Sequence, residues 1–194
     1  SDEQRQEIVD DLVSDIGRHS CGIFENFVVQ GAFQHGTFAQ RRQLVDALLR
    51  CDGGAWSIAK NKFGSHVMQA AMVHVPREQQ QQLVDAIIPC VKDLGKQKFG
   101  CFGLIDFVRQ CRDDESCRGL AEEISSQAND LMCHKYGSHV IEAVMKLPGQ
   151  DKHGIFDSLT RDAHHLEDCS MDPYGSHDIR EILANGTQPQ KDTV

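Results

Sequence analysis

The same five-residue pattern of polar and ring-bearing side chains occurs five times in the sequence. The windows are NFVVQ (26–30), SHVMQ (65–69), CFGLI (101–105), SHVIE (138–142) and SHDIR (176–180). The second residue is always Phe or His, and in four windows the first and fifth residues form strong hydrogen bonds. In a helix the first and fifth residues lie one turn apart on one face, with the second beside them. A ring can stack on an unpaired base while the two polar groups reach its Watson–Crick edge, so the pattern indicates base recognition.

The five windows are evenly spaced along the chain. Their first residues, Asn26, Ser65, Cys101, Ser138 and Ser176, are separated by 39, 36, 37 and 38 positions. A second segment recurs with the same period, as RQEIVDDLV (5–13), RRQLVDALL (41–49) and QQQLVDAII (80–88). Each copy is apolar at i, i+3, i+4 and i+7, which predicts a helix with one buried face. Repeats of this length cannot enclose a core alone, so they are predicted to stack into an α-solenoid.

The repeats divide the chain into helical units. We predict an all-α fold in which each unit has a short first helix, a second helix that opens at the window, and a longer third helix. The predicted boundaries are 1–15 for the third helix of a preceding unit or a cap, then 16–53, 54–90, 91–127, 128–164 and a partial unit at 165–184. The polar residues 185–194 are predicted to form a disordered tail. Because neither end resembles a complete cap, we expect the parent array to be longer.

Composition and charge restrict the possible partners. Hydrophobic residues make up 40% and charged residues 25% of the chain, and no apolar run approaches the ~20 residues of a membrane helix. The formal net charge of −9 argues against strong non-specific nucleic-acid binding, which depends on Lys and Arg. Three lysines nevertheless precede windows at equivalent places. We expect Lys62, Lys98 and Lys135 to lie beside the window face, near the phosphates of a bound strand.

The cysteines and histidines indicate neither a disulfide framework nor a metal site. The eight cysteines are scattered without CxxC pairs, and we predict the reduced, mostly buried thiols of an intracellular protein. Cys133-His134 and the segment HHLEDC (164–169) hold possible ligands but lack paired zinc spacing. No nucleophile–base constellation or phosphate-binding Gly loop is visible. We therefore predict a protein that is not an enzyme and that uses no cofactor, metal, membrane or small-molecule substrate.

The windows and their spacing, taken together, resemble the Pumilio (PUF) family of RNA-binding repeat proteins. The resemblance rests on the form aromatic-Gly-Ser/Cys/Asn-ring-x-x-Gln/Glu with a period of 36–39 residues, and it extends over residues 3–184. It implies a right-handed superhelix whose concave face is lined by the second helix of each repeat. Single-stranded RNA would run antiparallel to the protein along that face, and each repeat would contact one base through two or three side chains.

The resemblance also implies a base for each window. In the first window, Asn26 and Gln30 match the uracil pair, with Phe27 as the stacking ring. In the second, Ser65 and Gln69 match the adenine pair, with His66 in the stacking place. In the fourth, Ser138 and Glu142 match the guanine pair with His139, and in the fifth, Ser176 and Arg180 match the cytosine pair with His177. The third window departs from the pattern because Ile105 cannot form a hydrogen bond. Cys101 and Ile105 should therefore tolerate any base, with stacking on Phe102 as the remaining contact. From the last window to the first, the expected site resembles 5′-CGNAU-3′.

Three functions fit these features. By resemblance, the chain would bind mRNA in the cytoplasm, typically in a 3′ untranslated region, control translation or decay, and recruit protein effectors through its convex face. A second possibility is an atypical PUF-like protein of ribosome assembly in the nucleolus, with little base selectivity, which the third window and the acidic charge favour. A third is a protein-binding α-solenoid without an RNA function. For a single window, a Ser that caps the helix and a solvated residue one turn later would be a sufficient explanation. Five windows in one register favour base recognition.

Overall fold

The computed structural model describes residues 2–110, 115–146, 153–160 and 163–185. Within these ranges every regular element is a helix, which confirms the all-α prediction. None of the helices in these ranges is long and apolar enough to cross a membrane. The chain divides into two compact units, residues 1–90 and 91–194, and each is described by itself. The predicted disordered tail lies, from residue 186 onwards, outside the described residues.

The first compact unit is a succession of short and longer helices. They are α1 (Asp2–Ser14), α2 (Ile16–Cys21), α3 (Glu25–His35), α4 (Phe38–Arg50), α5 (Gly54–Ala59), α6 (Gly64–His74) and α7 (Arg77–Ile87), with a 3₁₀ turn at Ile88–Cys90. Helices of equivalent position stack on each other, because α3 packs against α6, α1 against α4, and α4 against α7. The entry to α4 is fixed by a capping box in which Thr37 and Gln40 bond each other's backbone N–H.

The second compact unit repeats the same succession. Its helices are α8 (Val91–Gly95), α9 (Lys98–Gln110), α10 (Glu115–Ser126), α11 (Ala128–Met132), α12 (Gly137–Met145), α13 (His153–Thr160), α14 (Ala163–Met171) and α15 (Pro173–Asn185). The helices that carry the windows again stack in order, α9 against α12 and α12 against α15, while α10 packs against α13. Within each unit the window-bearing helices therefore form one layer and the third helices form another.

The core of each unit is built from equivalent apolar positions. The fourth residue is buried in every window; these residues are Val29, Met68, Leu104, Ile141 and Ile179. In the third helices, Leu44 and Leu83 are fully buried at matching positions. Burying an aliphatic side chain of this size contributes about 1.5–3 kcal/mol. The packing of these residues fixes which side of each window-bearing helix remains at the surface.

The glycine before four of the windows is required by a close backbone approach. A Cβ atom at Gly64 or Gly137 would lie 2.3 Å from a carbonyl oxygen, of Ile58 and Leu131 respectively. The same contact would be 2.5 Å at both Gly100 and Gly175, again with an oxygen of the preceding short helix. Real Cβ atoms do not approach an oxygen so closely, so any larger residue would push the start of the window helix away from the short helix.

The serine of the windows does not cap its helix, which corrects that interpretation. The N-cap residues of α6 and α12 are Phe63 and Tyr136, and neither helix start has a side-chain hydrogen bond from its N-cap. The free N–H groups are instead satisfied by the residue two positions before the aromatic. Asn61 Oδ1 accepts from the N–H groups of residues 63 and 64, His134 Nδ1 from those of 136 and 137, and Asp172 Oδ1 from those of 174 and 175. Ser65 and Ser138 are the second residues of α6 and α12, and Ser176 is the fourth residue of α15, so each serine is already inside its helix.

Two cysteines correct the prediction of reduced thiols. The structure joins Cys133, after α11, to Cys169 in α14 as a disulfide with 5.8 Å between the Cα atoms. The prediction was wrong for this pair because stacked repeats bring residues about one period apart into contact, and these two are 36 residues apart. Cys21, Cys51 and Cys101 are thiols, and burial raises the pKa of each.

Candidate nucleic-acid interface

The second residue of every window is exposed on its helix. Phe27 and Phe102 leave 66% and 51% of their surface in solvent, which is unusual for large apolar side chains. The side chains of His139 and His177 are 55% and 62% exposed, and His66 is exposed as well. In each window a buried fourth residue, two positions after the ring, anchors the helix to its neighbours. The windows therefore present five rings to solvent from positions that the core holds in place.

The first residue of the windows is drawn inward by its own backbone. Ser65 Oγ donates to the Lys62 carbonyl at 3.2 Å, and Ser176 Oγ donates to the Pro173 carbonyl at 3.3 Å. A hydroxyl that donates once keeps acceptor capacity on its oxygen, so these serines can still accept a hydrogen bond from a ligand. Ser138 is also buried. Ser65 and Ser176 thus each supply a fixed acceptor rather than a mobile donor.

In the first window, Asn26 serves mainly to position Gln30. Asn26 is 1% exposed, and its Nδ2 donates to the carbonyls of Gly22 and Ile23 at 2.7 and 3.1 Å. Its Oδ1 accepts from Gln30 Nε2 at 2.7 Å. The two residues predicted to contact uracil are therefore hydrogen-bonded to each other in this structure, and the half-buried Gln30 amide is the more accessible of the two.

The third window has no polar group at its surface. Cys101 is fully buried, its Sγ donates to the Lys98 carbonyl at 3.2 Å, and burial raises the pKa of the thiol to about 11. The thiol therefore remains neutral, and Ile105 beside it is only 7% exposed. Phe102 is the one side chain among the first, second and fifth residues of this window that is open to a ligand.

Glu142 of the fourth window carries the only carboxylate among the fifth residues. Lys146 Nζ donates to Glu142 Oε1, and this hydrogen bond holds the pKa of the Glu142 carboxyl below its ordinary value. The other oxygen, Oε2, lies 3.8 Å from His139 Nδ1. Glu142 is consequently charged at neutral pH. The other fifth residues differ in access, since Gln69 is half-buried and Arg180 is exposed.

A cleft of about 320 Å³ separates α9 from α12 and joins the third and fourth windows. It is lined by Phe102, Ile105, Asp106, Arg109, His139, Glu142, Ala143 and Lys146. Its volume lies at the lower end of the range for small-ligand pockets, about 300–1,000 Å³. An exposed ring, an apolar floor and charged groups around the rim make it suitable for a planar polar ligand such as a base.

The three lysines that precede windows are exposed and lie over rings. Lys62 Nζ is 5.2 Å from the ring centre of Phe63, and Lys98 and Lys135 are each 5.5 Å from the rings of Phe99 and Tyr136. Such cation–π contacts hold an ammonium near the helix start without neutralising its charge. Each of these lysines is therefore in a position to meet an anionic backbone close to its window.

Sequence reasoning did not identify three charged residues of the cleft, Asp106, Arg109 and Lys146. Arg109 and Lys146 lie one turn beyond the fifth residue of their windows, and Arg109 Nη1 is 3.9 Å from Asp106. Each is the ninth residue counted from the start of its window, so extending the five-residue pattern by one helical turn would have found both. Asp178 stands where two other windows have Val67 and Val140; it is 2% exposed, and burial raises the pKa of its carboxyl to about 8.

Comparisons with known proteins bear on both the sequence and the fold. A sequence model of the Pumilio-family RNA binding repeat matches residues 23–49, 56–88, 127–160 and 165–194. These segments contain four of the five windows, and the third window lies between the second and third segments. Among curated proteins, meiotic coiled-coil protein 2 of Schizosaccharomyces pombe is 39% identical over 64 residues, which is 33% of this chain and 9% of that protein.

Solved structures share the fold of the whole chain. The PUM-HD domain of S. pombe Puf1, in complex with RNA, superposes with a TM-score of 0.86 at 16% identity, covering 100% of this chain and 49% of that one. PUF-8 in complex with PBE-RNA gives 0.82 at 18% identity, covering 100% and 57%. The chain therefore spans about half the length of these proteins. The similarity confirms the α-solenoid prediction.

Proposed function

The chain belongs to the Pumilio family of RNA-binding repeat proteins, and we propose that it binds single-stranded RNA with sequence specificity, one base per repeat. The observation that carries the proposal is the same division of side chains in all five windows, where the ring is exposed and the fourth residue is buried. Stacking of a base on an aromatic side chain is worth about 1–3 kcal/mol. A bound strand would cover Phe27 and Phe102, which are otherwise left in water.

The fifth residues give each repeat its preference. Glu142 accepts from the two Watson–Crick-edge donors of guanine, and Gln69 and Gln30 each offer both a donor and an acceptor, to adenine and uracil respectively. Arg180 donates to the acceptors of cytosine. Ile105 offers nothing polar and leaves its repeat without a preference. The proposed site is therefore 5′-CGNAU-3′.

The charge distribution is compatible with binding but affects its strength. A net charge of −9 repels a polyanion, whereas Lys62, Lys98 and Lys135 place exposed ammonium groups next to three windows. Contacts to base edges and rings carry sequence information, while contacts to phosphates set affinity and its dependence on salt. We expect binding that weakens steeply as salt is raised, with base preference largely retained.

The test is the affinity of the purified chain for fluorescent oligonucleotides. A strand containing CGUAU is compared with its single-base variants and with a random strand of equal length, at two salt concentrations. We expect the CGUAU strand to bind more tightly than variants at its first, second, fourth or fifth base, and substitution of its central U to have no effect. Loss of a hydrogen bond to a charged group costs about 1.5–3 kcal/mol, so replacing G by A should weaken binding about tenfold or more.

A matched variant shows whether the windows are responsible. Glu142→Gln keeps the size and helix position of the side chain but adds donors, and it should reverse the preference from G to A at the second base. An unchanged preference would contradict the assignment of that repeat. Absence of binding to every strand at low salt would refute RNA binding by this chain.

The role proposed for this binding is control of mRNA translation or decay in the cytoplasm, with protein effectors recruited by helices outside the window layer. One observation favours the ribosome-assembly alternative in the nucleolus. The third window is entirely apolar at its accessible surface, which suits contacts of low base selectivity. Equal affinity for all strands in the same assay would support that alternative.

A further inference from the structure

The carboxylate proposed to recognise guanine already has a partner in the free chain. Lys146 lies one turn beyond Glu142 on α12 and donates to Glu142 Oε1, while Oε2 faces His139 Nδ1 at 3.8 Å. The Glu142 side chain is 27% exposed and that of Lys146 is 62% exposed, so the pair lies at the rim of the cleft between α9 and α12. A base that enters the cleft meets this ion pair rather than a bare carboxylate.

Equivalent positions in the other windows do not contain such a pair. Val73 occupies the position one turn beyond Gln69 and has no polar group. Gln30 bonds Asn26, one turn before it. Arg109 lies one turn beyond Ile105, which has no charge to attract it. Among the five windows, all within the described ranges, a cation bonded to the fifth residue occurs in the fourth alone.

The competition follows from the number of donors and acceptors. Guanine presents two neighbouring donors on its Watson–Crick edge, and a carboxylate satisfies both only if both of its oxygens are available. The Lys146 ammonium already bonds Oε1, so guanine must share that oxygen with the lysine or displace it. Adenine presents one donor and one acceptor at the same edge, so it needs a single carboxylate oxygen and can use Oε2 while the ammonium stays on Oε1.

We propose that Lys146 determines the base selectivity of the fourth repeat, by competing with guanine for Glu142 and so reducing discrimination against other bases. The inference rests on the proposed function, because it refines how one repeat reads its base. Lys146 also adds a positive charge near the RNA. Removing this charge should weaken the binding of every strand, because the attraction to the phosphates is lost. The competition for Glu142, in contrast, affects only strands with guanine at the second base. The ratio of affinities therefore separates the two effects.

The expected effect is moderate because the pair is partly exposed. Ion pairs between residues four apart on a helix surface contribute little, so releasing Glu142 should raise the guanine-to-adenine affinity ratio about twofold to fivefold. Lys146→Met removes the ammonium and keeps a long apolar stem, which preserves packing along the cleft rim.

The experiment measures Kd for CGUAU and CAUAU strands at one salt concentration, with wild type, Lys146→Met and Lys135→Met. Lys135 is the matched control, since it is an exposed lysine of the same repeat that contacts the Tyr136 ring and not Glu142. We expect Lys135→Met to weaken both strands equally and leave the ratio unchanged. Lys146→Met should raise the ratio while weakening the CAUAU strand.

Three contradicting outcomes are distinguishable in this design. If wild type prefers CGUAU but Lys146→Met leaves the ratio unchanged or lowers it, the competition is refuted and the proposed function stands. If wild type binds neither strand, the proposed function itself is overturned, and this inference with it. A ratio that rises equally in both variants would show a general charge effect and would also overturn the role given to Lys146.

Discussion

Asp178 should destabilise the C-terminal helix of the second compact unit as pH rises. It occupies the third position of the last window, where Val67 and Val140 are fully buried in theirs. Its side chain is 2% exposed, and Oδ2 has no hydrogen-bond partner. Burial raises the pKa of its carboxyl from 3.8 to about 8, with additional repulsion from Glu142 and Glu181. His177 Nδ1, 4.0 Å from Oδ1, is the nearby group able to offset this if protonated.

The magnitude follows from the difference between the two states. Because the folded pKa is about 8 and the reference value is 3.8, folding at neutral pH takes up a proton that the unfolded chain has released. At pH 7 this costs on the order of 4 kcal/mol, and at pH 5 roughly 1–2 kcal/mol. The stabilisation is complete below the unfolded pKa, near 4, and is lost progressively as pH rises through 8. Asp178→Val should therefore stabilise the unit by about 2–4 kcal/mol at pH 7 and by much less at pH 5.

The assay is denaturant unfolding at pH 5 and pH 7, combined with amide hydrogen exchange of α15, because this helix can open before the rest of the unit. The quantity compared is the difference between variant and wild type, which cancels the titration of other carboxyls. Asp178→Asn is the matched control. It should flatten the pH dependence equally but stabilise less, since the buried amide still lacks a partner. If Asp178→Val stabilises equally at both pH values, the buried carboxyl does not take up a proton on folding and the reasoning is wrong.

Three further outcomes follow from the geometry. Gly137→Ala should destabilise the second unit by about 1–3 kcal/mol, because its Cβ would lie 2.3 Å from the Leu131 oxygen, whereas Gly31→Ala, with nothing within 4 Å, should be neutral or slightly stabilising in the same urea titration. Equal effects of the two would contradict the role given to the close approach. Ile105→Gln should give the third repeat a base preference, seen as unequal affinities for strands that differ only at the central base; equal affinities would contradict the assignment of that repeat. In the oxidised protein, mass mapping after alkylation should find Cys133 and Cys169 protected and linked. Alkylation of both without reductant would contradict the disulfide.

The repeat period was sufficient to predict the helices and which side of each window-bearing helix stays at the surface. The same arrangement of apolar and polar residues recurs every 36–39 positions, so five windows that are each weak evidence become strong evidence together. The side chains that accept from the N–H groups at the helix starts were missed because their residue types do not repeat. Asn61, His134 and Asp172 share a position and a role but not a residue type, so a search for repeated letters does not find them.

Hydrogen bonds between side chains of the same helix could not be predicted from the window pattern either. Asn26 was predicted to contact a base, and the structure shows it bonded to Gln30 and to two backbone carbonyls. The pattern places both residues on one face, one turn apart, but this spacing is equally suited to a shared ligand and to a bond between the two. The distance of 2.7 Å between Gln30 Nε2 and Asn26 Oδ1 distinguishes these possibilities for the free chain.

A carboxylate at a base-reading position has an electrostatic cost that an amide does not have. Glu142 places a full negative charge on the face proposed to approach RNA phosphates, and it repels the buried Asp178 carboxyl. Lys146 offsets that charge in the free chain, whereas Gln69, which is neutral, is followed by Val73 at the same distance.

If Lys146 is present because of Glu142, its effect on base preference should disappear once the charge is removed. In a double-mutant cycle, Lys146→Met should raise the guanine-to-adenine ratio in wild type and leave it unchanged in Glu142→Gln. The four affinities for each strand measure this coupling directly, and an equal effect of Lys146→Met in both backgrounds would show that the lysine acts on the RNA without involving the carboxylate.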